Sequence, residues 1–191
     1  MKKLLLLVFI TGVSIASSAQ EGEIYPSMSG DNLLEKQVSL PAKGEVSLVA
    51  LAYSPKSEEY LKAWRKPLFD LFIQAPGTNL FSFEPYNANL KFVVLLTGVK
   101  KVGTGKVKSQ LEENVEAHWK EHIVVVKGKS LEDYSVLDLG NTKNERIKPY
   151  FFLMDKNGKI VYATSGAYTS QKQKEIEEKL QELLGDNQFK D

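Results

Sequence analysis

PYFFLMDKNGKIVY, residues 149–162, encodes a β-hairpin. Tyr150 to Met154 is an apolar, aromatic-rich run of strand length. Asp155 to Gly158 supplies residues that tolerate turn dihedrals, and Ile160 to Tyr162 resumes the strand pattern. Pro149 heads the first strand, the one position where a missing N–H costs the ladder no donor. Downstream, Ser170 to Leu184 predicts a helix with Ile176, Leu180, Leu183 and Leu184 on its buried face.

Upstream lie three nearly continuous apolar runs: VSLVALAY at 46–53, LKFVVLL at 90–96 and Ile123 to Val126. Runs of this kind are typical of strands buried on both faces, as in a parallel sheet. Ser54-Pro55 ends the first run, and Ser57 is the expected N-cap of a helix through Leu61, Trp64, Leu68, Phe69 and Phe72. Pro67 is expected to kink or divide that helix. Gln74 to Ala88 reads as loop, and Thr97 to Gly105 as a Gly-rich connection. Lys106 to Lys120 predicts a helix, with Val107, Leu111, Val115 and Trp119 recurring every fourth residue. Ser130 is expected to cap a short helix through Leu139, stopped by Gly140-Asn141. Before the first core strand, Glu21 to Asn32 forms a polar lead-in, and Gln37 to Leu40 can pair back across it.

This order predicts an α/β fold: a central mixed β-sheet flanked by helices on both faces, with an N-terminal lead-in hairpin. Right-handed crossovers make the first three core strands parallel, and the 149–162 hairpin adds antiparallel strands at the edge. With no repeat, low-complexity tract or linker, residues 20–191 form one domain.

Residues 1–19 stand apart. Lys2 and Lys3, the apolar run Leu4 to Ile10 and the small residues Ser17-Ser18-Ala19 make a secretory signal peptide cleaved after Ala19. The expectation is an exported chain, periplasmic or secreted, with no membrane span after cleavage. Lys2 and Lys3 leave with the leader, which takes the formal charge from +1 to just below zero. A near-neutral chain without a basic stripe cannot rest its affinity for nucleic acid on counterion release; Lys100, Lys101, Lys106 and Lys108 read as a solvated loop and helix start. The 191 residues include no cysteine, which is uncommon in exported small domains.

The segment YPSMSGDNLLEKQVSLPAKGEVSLVALAY (residues 25–53), together with PYFFLMDKNGKIVY, resembles the redoxin branch of the thioredoxin-like superfamily, the exported thioredoxins and peroxiredoxins. The pattern runs from about Tyr25 to Leu184. That resemblance implies a thioredoxin-like fold in which the proline of the closing hairpin is cis and faces a redox cysteine pair at the start of the first helix. Aligning the apolar strands puts the pair near Lys56 and Glu59, in the segment SPKSEEYLKAW; neither is a thiol. Trp64, Pro67, LGN at 139–141 and FLMDKNGKIVYATSG at 152–166 are similar to the thioredoxin-like assembly factors of the mitochondrial ATP synthase, which implies a chaperone-type role.

Disulfide exchange and peroxide reduction both require a thiolate, so the sequence predicts no such enzyme and no cofactor. Ser54 and Ser57 lie near the expected site, but a serine nucleophile needs a base in reach, and both histidines are distant in sequence. HWKEH, His118 to His122, matches an inverted zinc-protease pattern. Because Ile123 opens a strand at once, His122 is expected to fall beyond the helix, and the histidines to cap its C-terminus. Arg146, one of only two arginines, precedes Pro149 by three residues and reads either as a contact for an acidic partner or as a surface ion pair. The expected function is that of a monomer binding a protein or peptide client along the strand edge at Pro149. Its groove is lined by Ser54, Pro55, Lys56, Ser57, Glu59, Arg146, Lys148, Pro149 and Tyr150. The alternatives are an oxidoreductase acting by a non-cysteine or partner-dependent mechanism and a metal-dependent enzyme at His118 and His122.

Overall fold

The structure, a computed structural model, describes residues 20–54, 56–73, 85–98, 103–140 and 142–185. The leader, Pro55, Lys100, Lys101, Asn141 and most of the expected loop at 74–88 lie outside them. The strands are β1 (Met28–Asn32), β2 (Gln37–Leu40), β3 (Ser47–Ala52), β4 (Asn89–Leu96), β5 (Ile123–Lys127), β6 (Tyr150–Met154) and β7 (Ile160–Ser165). The helices are α1 (Ser57–Phe72), α2 (Thr104–Asn114) and α3 (Ser170–Leu184), with 3-10 turns at Ala117–Trp119 and Glu132–Leu137.

One seven-stranded sheet has the order β2-β1-β5-β4-β3-β6-β7. β3, β4 and β5 are parallel, as their apolar runs predict, and β6 joins β3 antiparallel with Leu51 opposite Tyr150. β6 therefore lies inside the sheet, and the edges are β2 and β7. The lead-in hairpin forms as read: β1 pairs with β2 and also extends the sheet beyond β5.

Strand alternation divides the core between two faces. Leu48, Ala50, Leu90, Phe92, Phe151 and Leu153 meet Trp64, Leu68 and Phe72 of α1 and Ile176, Leu180 and Leu184 of α3. α2 lies on the same side, resting Val107 and Leu111 on Leu96 and Val125. Val49, Leu51, Val93, Leu95, Phe152 and Met154 form the other face, covered by Tyr25, Leu40 and the 3-10 turn carrying Tyr134 and Leu137. Tyr25 is fully buried there, edge-on to Phe152 at 5.6 Å between ring centroids.

Local expectations are corrected in four places. α1 is not divided at Pro67 but runs on through it as one helix; apolar burial on both sides of the proline outweighs the hydrogen bond it removes. Ser57 is the first helical residue, not the cap, because its hydroxyl is drawn inward to another segment. The helix expected over 106–120 stops at Asn114, where Val115 turns extended, and Ala117–Trp119 is a separate 3-10 turn. Ser130 is not the cap of its helix either: its N–H donates to the Asp133 carboxylate at 2.8 Å, and the turn ends at Asp138 in the left-handed region.

The 155–158 turn is held from within. Asp155 Oδ1 accepts from the N–H groups of Asn157 (2.8 Å) and Lys159 (2.9 Å). Gly158 has φ +79°, and a Cβ there would stand 2.5 Å from Cγ of Pro41. The Leu40–Pro41 peptide is the cis bond among the described residues; the bond before Pro149 is not cis, contrary to what the resemblance implies.

Candidate functional site

The C-terminal end of β3 delivers Tyr53 and Ser54 to the start of α1, and the chain entering β6 brings Lys148, Pro149 and Tyr150 alongside. Ser57 joins the two. Its N–H donates to the Ser54 carbonyl at 3.0 Å, and its Oγ–H donates to the Lys148 carbonyl at 3.3 Å. Ser57 is completely buried, one of three buried polar residues among the described residues. A hydroxyl is tolerated in such a place when it finds an acceptor, and the proline loop supplies it.

The proline loop is equally occupied. Lys148 donates its N–H to the Glu145 carbonyl at 3.0 Å, and the Pro149 carbonyl accepts from Gly166 N–H at 2.9 Å. The Gly166 carbonyl accepts from Trp64 Nε1 at 3.1 Å, while Lys172 Nζ binds the carbonyls of Ser165 (2.7 Å) and Ala167 (3.1 Å). The backbone at 148–149 thus bonds within the chain, and β6 is flanked on both sides. Strand addition by a client at Pro149 has no open ladder to use there.

Tyr53 and Tyr150 pack together, ring centroids 6.1 Å apart. Tyr53 Oη–H donates to the Leu139 carbonyl, with the Gly140 carbonyl at 3.2 Å; Tyr150 Oη–H donates to the Glu145 carbonyl at 3.4 Å. Burial raises the pKa of both phenols above the ordinary tyrosine range, so they stay neutral donors. Gly140 has φ +69°, and a Cβ on it would meet Glu145 Cβ at 2.4 Å and Tyr150 Oη at 2.8 Å, so only glycine lets the loop close over the pair.

Of the residues the sequence nominates, the structure brings together Ser54, Ser57, Lys148, Pro149 and Tyr150. Lys56 is exposed beside them, and Arg146 is exposed, with no described carboxylate in an ion pair with it. Arg146 lies close enough to Tyr53 to act on it electrostatically. Glu59 turns away to Lys62 at 2.8 Å on the outer face of α1, and Pro55 lies outside the described residues. The register that placed reactive positions at Lys56 and Glu59 is therefore displaced: the residue of α1 that contacts the proline loop is Ser57, and Ser54 lies one turn before it. The burial period of α1 shows this, since Trp64 and Leu68 continue inward from the side that holds Ser57.

The histidines lie elsewhere. His118, in the 3-10 turn, contacts the rings of Phe69 (5.0 Å) and Trp119 (5.5 Å) and stands 3.6 Å from Glu116. His122 Nδ1 is 3.0 Å from the Leu90 carbonyl, and Nε2 is 3.3 Å from Glu121. With no α-helix across 118–122, the two rings lack the one-turn spacing of a zinc motif. No group of three or more His, Asp or Glu able to hold a metal occurs among the described residues. Because β3 and β5 run parallel, His122 at the entry of β5 is at the opposite end of the sheet from Ser54 and Ser57 at the exit of β3. Neither imidazole can serve as base to either serine.

This arrangement of a parallel core, a closing hairpin and α1 and α3 packed on one face of the sheet, with α2 on the same face, is a thioredoxin-like fold. The chain is similar in structure to a thio-disulfide isomerase from Thermus thermophilus, with 12% identity, 86% of this chain and 96% of that chain covered, and TM-score 0.51. It is also similar to the pneumococcal exposed lipoprotein thioredoxin from Streptococcus pneumoniae, with 11% identity, 80% and 98% covered, and TM-score 0.50. No family model matches the chain, and no curated protein sequence does. The likeness to both is one of fold, and this chain has no cysteine.

Proposed function

We propose that this protein is an exported thioredoxin-fold binding protein that does no thiol chemistry and acts in protein binding or assembly. The observation that carries the reading is the junction of α1 with the proline loop, where a buried Ser57 hydroxyl is spent on the Lys148 carbonyl. A serine there is a structural tie without nucleophilic power, since no base adjoins it. What remains on the surface of this corner is charge: Lys56 and Arg146 exposed, Lys148 half-buried. Recognition accordingly runs through side chains toward an acidic segment of a client protein, not through backbone pairing at Pro149.

The test is crosslinking and pull-down from the native envelope with wild-type protein and with the double variant Arg146→Glu, Lys148→Glu. Capture of a specific client should fall about tenfold or more in the variant. Equal capture by both would overturn the assignment of this corner. Insulin reduction or peroxide consumption above a no-enzyme control would overturn the non-catalytic reading itself.

A further inference from the structure

We propose that the mature chain begins at Gln20 and that Gln20 is converted to pyroglutamate. The inference rests on the export reading, because cleavage after Ala19 makes Gln20 the terminus. An N-terminal glutamine carries nucleophile and electrophile in one residue. The α-amino nitrogen attacks the side-chain carbonyl carbon Cδ, the Cδ–Nε2 bond breaks, and Nε2 departs as ammonia with a proton from the attacking amine. The product is a neutral five-membered lactam, and no oxidant or reductant is needed. An α-amino group titrates near pH 7.7–8.0, so a sizeable share is already nucleophilic at neutral pH.

In the structure the residues from Gln20 onward are tied to the closing hairpin. Gly22 N–H donates to the Ile160 carbonyl (2.8 Å), Ile160 N–H to Glu23 (2.8 Å) and Tyr25 N–H to Gly158 (2.9 Å), so the first residues are laced to the edge of β7. Glu23 N–H turns back to the Gln20 carbonyl at 3.2 Å, and Glu21 accepts from Ala163 N–H at 3.4 Å. Gln20 lines a cavity of about 280 Å³ together with Tyr150, Phe152, Ala163, Thr164 and Ser165. The side-chain amide that reacts donates from Nε2 to the Leu137 carbonyl at 3.2 Å, a hydrogen bond that ends when Nε2 leaves. An uncyclised Gln20 would carry a charged α-ammonium in about half or more of the molecules at neutral pH. Cyclisation removes that charge and gives the exported chain an end that aminopeptidases cannot trim.

The experiment is intact-mass and N-terminal peptide mass spectrometry of the protein purified from the envelope or medium of its native host. The expected result is a chain starting at Gln20 and about 17 Da lighter than its sequence, with the loss mapped to the first peptide. That peptide should become open to sequencing after pyroglutamyl aminopeptidase treatment. Gln20→Ala should be secreted with the same start and no loss. A chain starting at unmodified Gln20 overturns the cyclisation and leaves export intact. A chain that keeps residues 1–19, or starts elsewhere, overturns the cleavage reading and the proposal with it.

Discussion

Ser57 shows how one side chain can change its meaning between sequence and structure. In the chain it reads as a helix cap; in the fold it is buried and donates to Lys148 across 91 residues. Ser57→Ala should cost about 1 kcal/mol in urea unfolding, the usual consequence of leaving a buried carbonyl without its donor. Client capture should be unaffected if the serine is only a tie. Asn32 is a second such residue: its Oδ1 accepts from Leu34 and Lys36 N–H, both at 2.9 Å, fixing the turn between β1 and β2. Glu175 offers a pH signature. The hydrogen bond from Tyr162 Oη, 2.6 Å away, lowers the pKa of its carboxyl, with Gln171 adding to the effect. A depressed folded pKa gives stability that is present above the unfolded value and lost as pH falls through the folded one. The stability difference between wild type and Glu175→Gln should therefore be largest at neutral pH and shrink in acid as pH falls through and below the ordinary carboxylate range, as read by thermal melts.

At the scale of elements, helices on the same face differ in depth. α3 buries Ile176, Leu180 and Leu184, whereas α2 buries no residue fully and only leans Val107 and Leu111 on the sheet. Leu180→Ala should cost about 2–5 kcal/mol, and Leu111→Ala clearly less, because a half-exposed side chain leaves no closed cavity behind. Denaturant titration of both variants checks the ranking, and comparable losses would contradict it. The closing hairpin depends on its turn. Gly158→Ala meets both a positive φ and the Pro41 ring, so it should destabilise by more than about 1 kcal/mol, and the loss should appear in the same melts.

For the whole molecule, the fold separates the groups that chemistry would need. Parallel strands put His122 and Ser57 at opposite ends of the sheet, and the proline loop closes on its own backbone. Purified protein should therefore show no turnover in thiol, peroxide or ester assays. None of the described helices is long and apolar enough to cross a membrane.

The order of elements was legible in the sequence because it is written in local terms. Buried parallel strands must be continuously apolar, a hairpin needs turn residues, and an amphipathic helix needs its period. The runs at 46–53, 90–96, 123–126 and 150–162 carried that much, and the sequence also shows that the chain offers no thiol of its own. The site was not legible in the same way. Whether Ser57 caps a helix or ties two segments depends on Lys148, and whether Pro149 borders an open edge depends on β7 taking its place beside β6. The paired burial of Tyr53 and Tyr150 and the lacing of residues 22–25 to β7 are likewise contacts between residues far apart in the chain. Such contacts are decided by packing, because the partner that satisfies a buried polar group is chosen by topology and leaves no periodic trace in the sequence.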